Sequence, residues 1–186
     1  MKAHLTFHNH VVAALFLLFA GVGSALAQTP ALDSLFDELL TADAQAAERI
    51  EREIWNEWSK SGSPAMDLLL QRGRDSIEAG DIPAAIEHFT ALTDHAPDFA
   101  EGWNARATAY FMAGEIGPSI NDIAKTLSLN PRHFGALSGL GMIFEQLGQP
   151  EKALEVYKAA LAIHPQLQGV IESVERLEAE TAGQDL

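Results

Sequence analysis

Apolar side chains recur along this chain three to four positions apart, in short stretches that glycine and proline interrupt. Ile50, Ile54, Trp55 and Trp58 keep that spacing in one stretch, and Leu137, Leu140 and Phe144 in another. Residues so spaced share one face of an α-helix, so each stretch is predicted to be a helix with a single buried side. Two of them run from about Glu101 to Ala113 and from about Pro118 to Leu129, and the break between them holds Gly114. Helix, tight turn, helix is therefore the predicted local unit.

The unit recurs. Pro97, Pro131 and Pro165 stand 34 residues apart, as do Gly80, Gly114 and Gly148. The same step separates Phe89, Ile123 and Tyr157; Ala85, Ser119 and Ala153; and Gly73, Ala107 and Gly141. Five columns with one period mark a repeat protein. Each column has a mechanical reading. The glycines of the turn can take the left-handed conformation that ends a first helix. Pro83 and Pro118 lie just inside the second helix, where a missing N–H costs nothing. Gly73, Ala107 and Gly141 let the two helices of a hairpin approach closely, and Phe89, Ile123 and Tyr157 fill the gaps between hairpins. Pro97, Pro131 and Pro165 stop the second helix and start the next unit.

On these residues the chain resembles the tetratricopeptide repeat family, whose 34-residue unit carries Trp, Leu-Gly, Tyr, Ala, Phe and Pro at fixed offsets. Three units match, at 66–99, 100–133 and 134–166. Trp103, Tyr110, Ser119, Ile123 and Pro131 fall on the pattern in the second; Leu137, Leu140-Gly141, Phe144, Ala153, Tyr157, Ala160 and Pro165 do so in the third. The first keeps Leu69, Gly73, Ala85, Phe89 and Pro97, with Ser76 in place of the aromatic residue. Arg106-Ala107 replaces Leu-Gly in the second, where the aliphatic stem of the arginine stands in for leucine. The resemblance implies an all-α, right-handed superhelical solenoid of helix–turn–helix hairpins with capping helices at both ends.

The flanks read as follows. Two amphipathic stretches at 32–40 and 44–60 make 28–65 an N-terminal helical hairpin; it is either a degenerate repeat or a hairpin of no repeat ancestry. At 167–186 a capping helix with Val170, Ile171, Val174 and Leu177 on its buried side precedes a short tail. Residues 1–27 read as a signal peptide: Lys2 and three histidines, an apolar run from Val11 to Phe19, then Ala25-Leu26-Ala27 before Gln28. Two alternatives stay open, an uncleaved anchor in the inner membrane and a buried core helix. Export to the periplasm, with no stable membrane span once the leader is cleaved, is the expectation.

Charge and composition narrow the function. The chain carries 12 Lys+Arg against 26 Asp+Glu, a formal charge of −14, and no cysteine. An acidic surface repels phosphate backbones and anionic headgroups, which argues against nucleic acid and against membrane surfaces as partners. The absence of cysteine excludes disulfides, thiolate nucleophiles, zinc–thiolate sites and lipoprotein anchoring. HExxH, GxSxG and phosphate-loop motifs are all missing. Ser138, Gly139 and Gly141 only imitate a nucleotide turn, since Phe144 stands where GxGxxG needs glycine. His88, His95, His133 and His164 lack ligand spacing and read as surface or turn residues. Glu48, Glu51, Glu53 and Glu57, interleaved with Arg49 and Arg52, read as a solvated face. Neither an enzyme nor a cofactor is expected.

What remains is geometric. The resemblance implies that first helices line a concave wall, with Leu70, Arg74, Ile77, Glu78, Glu101, Asn104, Thr108, Phe111, Met112, Gly135, Ser138, Met142, Glu145 and Gln146 facing inward. Of these, Arg74, Asn104, Thr108, Phe111, Met112, Ser138, Met142 and Glu145 are the candidate peptide-binding residues. Phe111, Met112 and Met142 offer adaptable apolar contact, and Asn104 and Ser138 hydrogen bonds to a peptide backbone. One subgroup of the family grips C-terminal carboxylates through basic residues; Leu70, Arg74, Ala105, Gly135 and Gly139 match those positions, so Arg74 alone could serve. The favoured reading is a periplasmic interaction module holding a protein or peptide partner, with a basic partner favoured by charge. Such a module would act as an adaptor or scaffold in envelope assembly, secretion or division. The alternatives are a homo-oligomeric scaffold built through Trp55 and Trp58, and a regulatory subunit of an envelope enzyme.

Overall fold

The computed structural model describes residues 30–184; the leader read at 1–27 lies outside them. Among the described residues every regular element is a helix: α1 (Pro30–Leu39), α2 (Ala44–Trp58), α3 (Pro64–Glu78), α4 (Ile82–His95), α5 (Ala100–Met112), α6 (Ile116–Leu129), α7 (Phe134–Gln146), α8 (Pro150–Ile163) and α9 (Gln168–Gln184). Three hairpins, α3–α4, α5–α6 and α7–α8, stack in chain order, and α9 lies against α8.

The turn glycines act as expected. Gly80, Gly114 and Gly148 have φ of 77°, 78° and 65°. At the first, the Gly80 N–H donates to the Ile77 carbonyl and the Asp81 N–H to the Ser76 carbonyl, both at 2.9 Å, and the other two turns repeat the pattern. Backbone carbonyls that the helix end would leave orphaned are thereby satisfied. Each second helix stops before proline, with Ala96, Asn130 and His164 out of the helical region at φ of −132°, −136° and −129°.

The close-approach columns pair up in space. A Cβ on Gly73 would fall 2.2 Å from Cε1 of Phe89, and one on Gly141 2.3 Å from Cε1 of Tyr157. The middle hairpin sets Ala107 and Ile123, both buried, at the same positions, trading ring for methyl. Ser119 Oγ donates to the Ala107 carbonyl at 2.8 Å and ties that pair of helices further. Beside it, Arg106 does more than lend its stem. Its Nε and Nη2 grip Asp122 at 2.6 and 3.0 Å, Nη1 reaches Thr93 Oγ1 at 2.9 Å, and its guanidinium lies 4.8 Å from the Trp103 ring. Within the three hairpins the apolar interior has two parts that share α5: Ala105 and Ala109 pack with Leu70, Phe89 and Leu92, while Ala107 packs with Ile123, Leu137 and Leu140.

The α1–α2 hairpin takes a place that local pattern did not announce. Leu32, Phe36, Leu39, Ile50, Ile54 and Trp58 form its buried side, and Phe134 at the start of α7 completes that core, flanked by Ile163 and Leu167. Its apolar face is thus turned to the third hairpin, not to α3, its neighbour in sequence. Polar contacts follow the same path: Arg132 pairs with Asp33 and lies over the Phe36 ring, and His164 Nε2 meets Glu51 at 3.2 Å. Trp58 stacks on His133, with centroids 4.2 Å apart and planes 18° from parallel.

Candidate peptide-binding groove

Helices α3, α5 and α7 run side by side as one wall. Between α5 and α7, with α6 as its floor, lies a cavity of about 200 Å3. Asn104, Ala107, Thr108 and Phe111 line it from α5, Ser119 and Ile123 from α6, and Gly135, Ala136, Ser138, Gly139, Met142 and Ile143 from α7. No side chain in that lining is ionised. The hydroxyls of Thr108 and Ser138 donate back to the carbonyls of Asn104 and Phe134 at 3.1 and 2.8 Å. Their oxygens remain as acceptors. Small residues explain the hollow: Gly139 carries no side chain to fill it, and a Cβ there would meet only Ile123, at 3.8 Å. Met142 is 49% exposed at the mouth.

The end of the groove nearest the starts of α5 and α7 is closed. A buried carboxylate, Glu101, gathers Arg74 Nη2 at 2.6 Å, Asn104 Nδ2 at 3.2 Å and His133 Nε2 at 3.0 Å. His133 caps α7: its Nδ1 accepts the Ala136 N–H at 3.1 Å, so the ring proton sits on Nε2 and is donated to Glu101. Trp55 lies over this cluster and over Gly135, where an added Cβ would fall 2.6 Å from the indole Cη2. Burying a carboxylate is tolerable only with such partners, and a guanidinium, an amide and an imidazole N–H supply them.

Models of the tetratricopeptide repeat match residues 70–117 and 135–167. A TPR repeat-containing protein of Rhizobium etli is 38% identical over 153 residues, which are 82% of this chain and 75% of that protein. The chain belongs to the tetratricopeptide repeat family. Its fold is similar to MamA (TM-score 0.60, 21% identity, 80% of this chain and 85% of that one). It is equally similar to the first TPR of Spaghetti (RPAP3) bound to HSP90 peptide SRMEEVD (TM-score 0.60, 22% identity, 63% and 95%). The chain spans about a fifth of the length of the plant Hsp70-Hsp90 organizing proteins it also matches, 19% in Glycine max and 18% in Triticum aestivum.

Within this TPR wall the candidate residues divide. Asn104, Thr108, Phe111, Ser138 and Met142 come together around the cavity. Three do not. Arg74 is spent on Glu101 and on Ser59 Oγ, which its Nη1 reaches at 3.1 Å. Glu145 points to the other side, accepting from Tyr157 Oη at 2.7 Å and pairing with Arg176. Burial, and then this hydrogen bond, push the Tyr157 phenol well above its ordinary range. Met112 is half exposed and outside the lining. Since Arg74 was the one basic residue available for a carboxylate grip, its engagement leaves that grip without a free cation.

The histidine and glutamate readings also change. His133 and His164 do sit at turns, but both are buried, each with its Nε2 on a carboxylate. Glu51 is not part of a solvated face: it accepts from Trp55 Nε1 and from His164, each at 3.2 Å. The hydrogen bond from His164, opposed by burial and aided by that from Trp55, holds the Glu51 carboxyl below its ordinary value. Sequence reasoning missed Trp55 as an end wall, because nothing local signals a contact between a leading hairpin and the third repeat.

Proposed function

We propose that this TPR protein is an exported adaptor that holds a segment of another polypeptide between α5 and α7. The observation carrying this reading is the open cavity in which Asn104, Thr108, Phe111, Ser138 and Met142 combine apolar surface with uncharged hydrogen-bonding groups. Such a lining suits a peptide backbone with its side chains and holds no ionisable side chain. The net charge of −14 favours a basic partner through faster encounter. The first TPR of Spaghetti (RPAP3), similar in fold and bound to an HSP90 peptide, supports peptide capture as the mode. The leader pattern at 1–27 supports the periplasm, and no helix among the described residues is long and apolar enough to cross a membrane. Envelope assembly, secretion or division is the setting proposed for the partner. The self-association reading loses the residues named for it, since Trp55 and Trp58 are engaged within the chain.

The test is a photo-crosslinking residue placed at Phe111 in living cells, with Glu155 on α8 as the control position. A discrete crosslinked polypeptide is expected from Phe111 and not from Glu155; none from Phe111, or the same pattern from both, overturns the groove. Mass spectrometry of the chain from a periplasmic extract should find Gln28 at its amino terminus. An intact Met1 in the membrane fraction would refute export by cleavage.

A further inference from the structure

The groove of this protein is blind at one end. Trp55 rests on Gly135, and the Glu101 cluster lies beneath, so a chain cannot pass along α5 and α7 toward their starts. Toward their other ends the cavity opens beside Phe111 and Met142. At about 200 Å3 it falls short of the roughly 300 Å3 at which small-molecule sites begin, but it accommodates one bulky side chain.

Resting on the reading above, we infer that the cavity is a socket for a single large apolar side chain, presented by a partner segment with basic flanks. That segment enters from the Phe111–Met142 side and stops at Trp55. Three observations specify this occupant. The lining holds no ionised group, so a buried charge would find no partner there. Arg74, at the blind end, is paired with Glu101, so it is already engaged and does not favour an acidic terminus there. Finally, the chain's formal charge of −14 attracts cationic rather than anionic flanks. Anchors of this kind, one apolar residue in a desolvated pocket, concentrate the binding energy of an interface. Trp55 and Gly139 are then the specificity determinants: one shortens the groove, the other keeps it hollow.

The experiment uses the full-length protein and three fluorescein-labelled peptides read by anisotropy. One has lysine and alanine flanking a central leucine, the second has alanine at the centre, and the third has glutamate in place of lysine. The first should bind at least about tenfold more tightly than either other, a difference of about 1.4 kcal/mol. Gly139→Leu fills the cavity from a position with room for a side chain, so it should lose that preference while its circular dichroism stays at the wild-type value and its melting temperature does not fall. Equal binding of the leucine and alanine peptides, binding of none, or an undiminished preference in Gly139→Leu each overturns the socket. Crosslinking from Phe111 separates this from the broader reading. A partner still captured by Gly139→Leu leaves the adaptor standing and removes the socket; capture by neither protein removes both.

Discussion

The ring of Tyr157 lies directly against the α-carbon of Gly141: a Cβ built there would sit 2.3, 2.5 and 2.7 Å from three ring atoms. The ring is buried and its hydroxyl is tied to Glu145, so it cannot swing away cheaply. Gly141→Ala should therefore destabilise the protein by about 1–3 kcal/mol through overpacking, although alanine at an ordinary helix position gains about 0.5–1 kcal/mol over glycine. Gly139→Ala, two residues earlier in the same helix and with only an ordinary contact to Ile123 at 3.8 Å, should show that gain. Urea denaturation of both variants checks the contrast, and two equal shifts would refute it.

Arg106 and Asp122 occupy columns that hold Leu140 and Val156 in the next repeat. Arg106→Leu leaves a carboxylate with a side chain 7% exposed and without its guanidinium, and should cost about 3–5 kcal/mol. Arg106→Leu combined with Asp122→Val copies the neighbouring repeat and should come back to within about 1 kcal/mol of wild type, or exceed it. A double-mutant cycle from denaturation midpoints measures this, and additive losses would show that the pair is independent.

Trp58 is buried among Phe36, Trp55, His133 and Phe134, and its indole N–H has no partner. Trp58→Ala should cost about 3–5 kcal/mol and release the leading hairpin. Trypsin would then cut at Lys60 well before it cuts the repeats. Trp58→Phe discards the orphaned donor while keeping ring contact, and should cost under half as much as alanine. Proteolysis that leaves Lys60 no more accessible in Trp58→Ala would disprove the latch.

Acid should loosen the same hairpin. The folded carboxyl of Glu51 lies below its ordinary value of 4.5, chiefly through the hydrogen bond from His164. A depressed carboxylate contributes stability that is present above its unfolded value and is lost as pH falls through the folded one. The melting temperature of wild type should accordingly fall more steeply below about pH 4.5 than that of Glu51→Gln, the two curves converging in acid. Parallel curves would mean that Glu51 is not coupled to folding.

The repeat frame was legible because its causes are local. A glycine that must turn, a proline that must stop a helix, and a small residue facing a ring leave traces at fixed offsets. The cavity was half legible: the inward positions of α5 and α7 were found, but whether Arg74 and Glu145 were free depended on Glu101, Tyr157 and Arg176, which lie between 12 and 31 residues away. Arg106 with Asp122 did leave a readable signal, two charges in apolar columns on facing helices. The seat of the hairpin had none. Asp33 meets Arg132 across 99 residues and Glu51 meets His164 across 113, and no short-range periodicity encodes such a distance.

That separation orders events during synthesis. α1 and α2 emerge from the ribosome first, yet the surface that receives them is unfinished until Leu167 has been made. Phe36, Trp55 and Trp58 therefore lack their full cover until the third hairpin has formed, so the earliest segment of the described chain can settle only after it. A solenoid of this kind normally grows and melts one unit at a time from its ends; here the leading end is fastened to the trailing one, so losing either should unseat the other.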